Sequence, residues 1–241
     1  MRIVMWSGPR NLSTAMMRSF GARADTDVVD EPFYAAFLAE TGVDHPMRAE
    51  VLAAGETDWR RVARACAAPP APGRVRYEKH MTHHMVPGIG LDWLEGAAVA
   101  FLIRDPAEVA ASYAAKREAF TLDDLGVERQ AALFEHCTTL LGRAPPVVDA
   151  TAIRRRPRGT LMALCAALGL PFDEAMLAWP AGPRETDGVW ARHWYGAVES
   201  STGFAPPPEE GVLLTSDLER LIAPARRLHD RLAAHALAPA G

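Results

Sequence analysis

The stretch RIVMWSGPRNLST, residues 2–14, decides the fold. Residues 2–7 form a short apolar run closed by Gly8-Pro9, the punctuation of a strand ending in a tight turn. Residues 13–22 then carry an apolar repeat at helical spacing, so the reading is strand, turn, helix. Working outward, the alternation recurs. TDVVD at 26–30 is a second short strand, followed by Glu31-Pro32. Residues 46–66 read as helical, with Trp59, Val62 and Cys66 spaced for one face. AAPPAPG at 67–73 breaks the chain before a third strand at 74–79. Residues 97–103 are wholly apolar, the pattern of a strand buried on both faces. Asp105 suits a helix N-cap and Pro106 a first helical turn, in a helix running to 117. There follow a helix at 123–142, a strand at 145–149 and a helix at 159–168 stopped by Gly169. Residues 174–211 read as an irregular covering region, rich in Gly, Pro and Trp from 180 onward. An amphipathic helix at 217–237 follows, with Leu221, Leu228 and Leu232 on one stripe.

Strands alternating with helices predict a parallel sheet covered on both faces, one three-layer α/β/α domain over 1–241. Ligands of such sheets collect at the carboxyl ends of the strands. The chemistry is therefore sought at 7–14, Glu31, 79–84, Arg104 and Asp149.

Composition narrows the function. The 241 residues are 49% hydrophobic and 23% charged, which excludes a disordered or collagen-like chain. A net charge of −4 gives no basic surplus for nucleic acid or an anionic membrane, so neither is an expected partner. The apolar run 97–103 is far short of the roughly 20 residues that span a bilayer, and the opening residues carry no secretory pattern, so a soluble cytoplasmic protein is expected. Nothing in the sequence bears on oligomeric state. Cys66, Cys137 and Cys165 are too scattered for a metal-binding or disulfide framework and are expected to be buried, inert thiols. Lysine occurs only at Lys79 and Lys116, and neither stands in a GK[ST] context, so there is no Walker A lysine.

A strand, then SGPRNLST, then a helix aims consecutive backbone N–H groups at one point, where the helix dipole favours an anion. Gly8, Pro9, Arg10, Asn11, Leu12, Ser13 and Thr14 form this candidate cradle. Gly8 permits the tight turn, Arg10 offers a planar donor fork suited to phosphate or sulfate, and Ser13 and Thr14 add hydroxyls. The competing reading is that Asn11 or Ser13 only caps the helix.

The loop resembles the 5′-phosphosulfate loop of sulfotransferases that use 3′-phosphoadenosine 5′-phosphosulfate (PAPS), with Arg10 as the basic residue and Ser13-Thr14 as the hydroxyl pair. LIRDPAEVAASY, residues 102–113, resembles the same family's 3′-phosphate element. Arg104 and Ser112 would bind that phosphate, and their separation of eight positions matches the family spacing. VVDATAIRRRPRGTLMALCAALGLPFD, residues 147–173, is similar to a third family segment, with Asp149 where the family often has Glu and a loop-organising role expected for it. The resemblance spans 2–173 in order. It implies a fold like the P-loop nucleoside-triphosphatases, PAPS as co-substrate, no metal, and a small organic acceptor with a hydroxyl or amine. Residues 174–241 match poorly. By analogy, Arg192, Gly203 and Phe204 would close over the nucleotide, and the acceptor would lie against 34–60 and 180–205. Two guanidinium groups, Arg10 and Arg104, would then have to serve one bound nucleotide.

Sulfuryl transfer needs positioning, charge stabilisation and a base for the acceptor proton. Arg10 would stabilise the leaving phosphate, and Lys79, ending the third strand, would reach the same region. Glu31 in DEPFY resembles the catalytic Glu of carbohydrate-type sulfotransferases and is the first candidate base. His80 in YEKHMTHHMVP resembles the Lys-Thr-His element of cytosolic ones and is the second, ahead of His83 and His84. On a helix these three histidines would share a face, but HExxH is absent and a strand-to-loop transition is preferred over a metal site. Trp190 and Trp194 read as packing or loop lining. The rival readings are a small-molecule or nucleotide kinase of the same broad fold, opposed by the missing GK[ST], and a non-catalytic nucleotide-binding protein. A pyridoxal-phosphate enzyme would need one of the two lysines.

Overall fold

The computed structural model of the chain describes residues 1–115, 120–207 and 212–241. Five parallel strands form the sheet: β1 (Arg2–Ser7), β2 (Thr26–Asp30), β3 (Val75–Met81), β4 (Ala98–Ile103) and β5 (Val147–Asp149). Their order is β2-β3-β1-β4-β5. Met5 pairs with Lys79, Trp6 with His80, and Asp30 with Lys79.

Side-chain alternation builds three layers. Ile3, Met5, Tyr77, Ala100, Leu102 and Val148 face the helices Ser13–Gly21 and Pro157–Leu168. Val4, Trp6, Val99, Phe101, Ile103 and Val147 face Cys66, Phe134 and Leu232 from the helices Trp59–Ala67, Val127–Leu141 and Ser216–Ala233. Among the described residues, no helix is long and apolar enough to cross a membrane.

Several expected helices differ in detail. The segment 46–66 splits into Arg48–Ala54 and Trp59–Ala67, because Asp58 starts a fresh helix by accepting a hydrogen bond from the Arg60 N–H. The segment 123–142 breaks at Gly126, whose φ of 69° closes a short turn before Val127–Leu141. The last helix stops at Ala233, and the chain then pairs Ala236 with Val147. Its buried stripe uses Ile222 rather than Leu221. A helix over Tyr34–Thr41 was not expected. Residues 116 and 117 of the helix after β4, and 208–211 of the irregular region, lie outside the described residues. Two short helices, Ala191–Trp194 and Gly196–Glu199, interrupt that irregular region.

Candidate active site

The carboxyl ends of the strands open into a cavity of about 410 Å³. Its charges are sorted by strand order. The segments after β1, β4 and β5 bring Arg10, Arg104 and Arg154 to one end, and Lys79, within β3, joins Glu31, His83 and His84 from the segments after β2 and β3 at the other.

At the cationic end, the helix Ser13–Gly21 starts without a side-chain cap. Asn11 donates instead to the Leu102 carbonyl at 3.2 Å, which removes it as the cap. The orphan N–H groups of the first turn therefore remain for an anion. Arg10 and Leu12 hold left-handed φ angles of 60° and 70°, backbone strain of the kind that gathers at ligand sites. Gly8 lies beneath the loop, where an added Cβ would press on Asn11 at 3.2 Å and on the Leu125 carbonyl at 3.3 Å.

Arg104 donates to the Arg10 carbonyl at 2.8 Å and to Glu108 at 2.7 Å. Ser112 meets Arg10, whose Nε lies 2.9 Å from its hydroxyl, rather than Arg104. Burial lowers the pKa of Arg10, and the neighbouring Arg104 charge adds to that. Arg154 is lowered for the same two reasons. Three crowded, partly buried guanidinium groups, hydroxyls and an uncapped helix start make this end of the cavity suited to an anion. Arg154 escaped sequence reading, although it opens the triplet 154–156 after β5. Asp149 caps the helix Ala150–Arg155 by accepting from the Ala152 N–H at 2.8 Å, a structural role.

At the other end, Lys79 is almost wholly buried and bridges Asp30 at 2.9 Å and Glu31 at 2.6 Å. The Tyr195 hydroxyl also meets Lys79 and donates to both Asp30 oxygens. Two carboxylates share one ammonium. Desolvation, and then the Asp30 charge, raise the Glu31 pKa above the carboxylate range, against the pull of Lys79. Desolvation pulls Lys79 down, but the two carboxylates outweigh it and hold it well above the ordinary lysine value. Glu31 itself has a left-handed φ of 43°, held by its N–H donating to the Lys79 carbonyl at 2.9 Å. Asp30 and Tyr195 escaped sequence reading. The signal for Asp30 was its place as the last residue of a strand, and Tyr195 had none.

His80 does not reach the cavity. Alternation along β3 turns it to the opposite face, against Trp6, Phe33 and Trp93, where its Nε2 lies 3.0 Å from Glu78. This corrects its candidacy as base. Cys66, Glu78 and His80 place one ligand-type atom each within 4.8 Å of one another. Both Glu78 oxygens are already engaged, one by Arg76 at 2.8 Å and one by His80. Burial pushes the Cys66 thiol up to about 12, with Glu78 adding to the rise. Cys137 and Cys165 are buried and free as expected.

His83 and His84 leave the strand in a short turn, so the three histidines do not share a helical face. The His84 Nε2 lies 4.0 Å from Glu31, and its ring stacks on Tyr34 and Phe37. Burial, reinforced by neighbouring histidines, keeps His84 well below the usual imidazole value and lowers His83 to about 4. Trp194, Gly203 and Phe204 line the cavity, Trp190 packs beneath and bonds Tyr195 at 3.1 Å, and Arg192 is exposed outside it.

The model described as a sulfotransferase domain matches residues 1–236. The chain is 36% identical over 216 residues to branched-chain-amino-acid aminotransferase-like protein 2 of Arabidopsis thaliana, covering 88% of this chain and 38% of that protein. It is 39% identical over 202 residues to protein 1 of the same name and organism, covering 84% and 36%. The chain thus spans well under half the length of these curated relatives. A solved structure, the sulfotransferase domain from the curacin biosynthetic pathway, superposes with a TM-score of 0.54 at 17% identity, covering 96% of each chain. That likeness carries the fold, the P-loop-like α/β architecture the sequence implied.

Proposed function

Because the chain belongs to the sulfotransferase domain family, we propose that it transfers a sulfuryl group from PAPS to a hydroxyl or amine of a small organic acceptor. The observation that carries this reading is the uncapped start of the helix Ser13–Gly21, facing a cavity that Arg10, Arg104 and Arg154 also line. PAPS would supply a sulfuryl group already joined to a good leaving phosphate. Arg10 and the first-turn N–H groups would hold the phosphosulfate and balance the charge that grows on the leaving oxygen. Arg104 and Ser112 would hold the 3′-phosphate, and Gly203 and Phe204 would cover the nucleotide. Glu31 would take the acceptor proton as the new O–S or N–S bond forms and the bond from sulfur to the leaving phosphate breaks. Lys79 would orient Glu31 and, with Asp30, fix its position. The protein is read as working on small molecules, without metal, nucleic acid or membrane.

The test is calorimetric titration with 3′-phosphoadenosine 5′-phosphate, ATP and adenosine 5′-phosphate. The 3′-phosphorylated nucleotide should bind selectively. Arg104→Ala should weaken it by roughly 10- to 100-fold, the range for losing hydrogen bonds to a charged group, and erase its advantage over adenosine 5′-phosphate. Equal affinity of the wild-type protein for the three nucleotides would refute the proposal.

A further inference from the structure

The Glu31 end of the cavity has walls and a charge of its own. Asp30 and Glu31 face one ammonium, Lys79, which leaves a surplus of one negative charge. Its sides are aromatic, from Tyr34, Trp194 and Tyr195. His83 and His84 stand there too, and burial keeps both neutral at pH 7.

His83 also lines a second cavity of about 450 Å³. Asp123, Glu128 and Arg129 line that space, again with two carboxylates to one guanidinium. Phe37, Val86 and Ala132 give it apolar walls, with the Phe37 ring 5.6 Å from that of His83. The uncharged His83 imidazole thus lines both cavities, with carboxylates outnumbering cations at the Glu31 end of the first and among the described residues of the second. Arg10, Arg104 and Arg154 lie at the opposite end, over β1, β4 and β5.

We propose that the acceptor is an alcohol or phenol that carries an ammonium group and no carboxylate. Its hydroxyl sits at Glu31, its carbon skeleton lies between Tyr34 and Trp194, and its ammonium points past His83 toward Asp123 and Glu128. A carboxylated acceptor meets carboxylates that outnumber the cation beside them, Lys79 at the Glu31 end and Arg129 among the described residues of the second cavity, so its desolvation is poorly offset there. An ammonium gains from the carboxylates and from the aromatic faces. This inference rests on the sulfotransfer reading for the placement of the hydroxyl, but the charge selectivity belongs to the cavity itself.

Tyramine, 4-ethylphenol and 3-(4-hydroxyphenyl)propanoate share a phenol and differ mainly in the charge of the tail. Each is titrated by calorimetry into the protein loaded with 3′-phosphoadenosine 5′-phosphate and into the protein in excess inorganic sulfate, which takes the arginine end in place of the nucleotide. The charge order is thus read whether or not the nucleotide binds, and failure of the nucleotide alone counts against the donor reading only. Tyramine should bind at least ~10-fold more tightly than the propanoate, with ethylphenol between them. Glu31→Gln, which removes the surplus charge near the reacting hydroxyl, should narrow that ratio without changing nucleotide affinity. The wild-type series stands alone if the variant does not fold. Binding of the propanoate as tight as that of tyramine, or no tyramine binding at about 10 mM, overturns the proposal.

Discussion

Glu31 combines a strained backbone, a lysine partner and a cavity-facing carboxylate, a set of properties suited to a proton acceptor. Its raised pKa has a readable consequence. The acid limb of kcat/KM should lie above the ordinary carboxylate range, because the base works only when deprotonated. Glu31→Gln keeps the shape and one hydrogen bond while removing the base. It should lower kcat by roughly 10²- to 10⁴-fold in a sulfuryl-transfer assay. Nucleotide affinity, measured separately, should hold, since Glu31 lies at the far end from Arg104. His80 shows the limit of motif matching at this scale. One step along β3 from Lys79 is enough to send it through the sheet, into a cluster with Trp6 and Trp93.

Two short connections set the site at the element scale. Gly126 joins a turn to the helix Val127–Leu141, and a Cβ there would meet Pro9 of the turn after β1 at 3.0 Å, in a backbone already at φ 69°. Gly126→Ala should cost about 1–2 kcal/mol from the left-handed conformation alone, measured by urea unfolding, and should weaken nucleotide binding by displacing Pro9. The turn Thr82–His84 after β3 buries its imidazoles neutral. His83 has a pKa near 4 when folded against about 6.5 unfolded, so between those values the unfolded chain binds more protons. Its contribution to stability is therefore present above pH 6.5 and is lost as the pH falls toward 4, with His84 acting in the same direction. Glu31, with its raised pKa, acts in the opposite sense. Melting temperature should fall across that window, and His84→Phe should show the shallower fall.

The whole molecule is held around the cavity by long-range ties into the irregular region. Arg18 meets Asp187 through two hydrogen bonds, at 2.5 and 2.7 Å, with both side chains nearly sealed from solvent. Asp30 accepts from the Gly188 N–H at 3.1 Å, and Tyr195 closes onto Asp30 and Lys79. The stretch that carries Trp194 and Tyr195 to the cavity is thus fastened to the helix after β1 and to the end of β2. Arg18→Ala leaves the Asp187 carboxylate buried without its cation, held by the Arg184 N–H at 2.8 Å, and should cost about 3–5 kcal/mol in denaturant unfolding. Early protease cleavage within 180–195 should accompany it, because this tie is one of three that hold the segment down.

The local code was enough for the strands, the turn between the first strand and its helix, and the layering of helices on both faces of the sheet. Apolar runs bounded by Gly-Pro or Asp-Pro act within a few residues, and a parallel sheet follows from their alternation with helices. Arg10 and Arg104 line one cavity because both follow central strands closely. Tertiary structure alone decided which side of β3 served chemistry and which served the core. It alone brought Tyr195, a position 116 residues away, to Lys79, and gathered Arg154 to the cationic end. Those assignments depend on sheet order and on the packing of an irregular segment, both products of contacts far apart in the chain, and no spacing along the sequence encodes them.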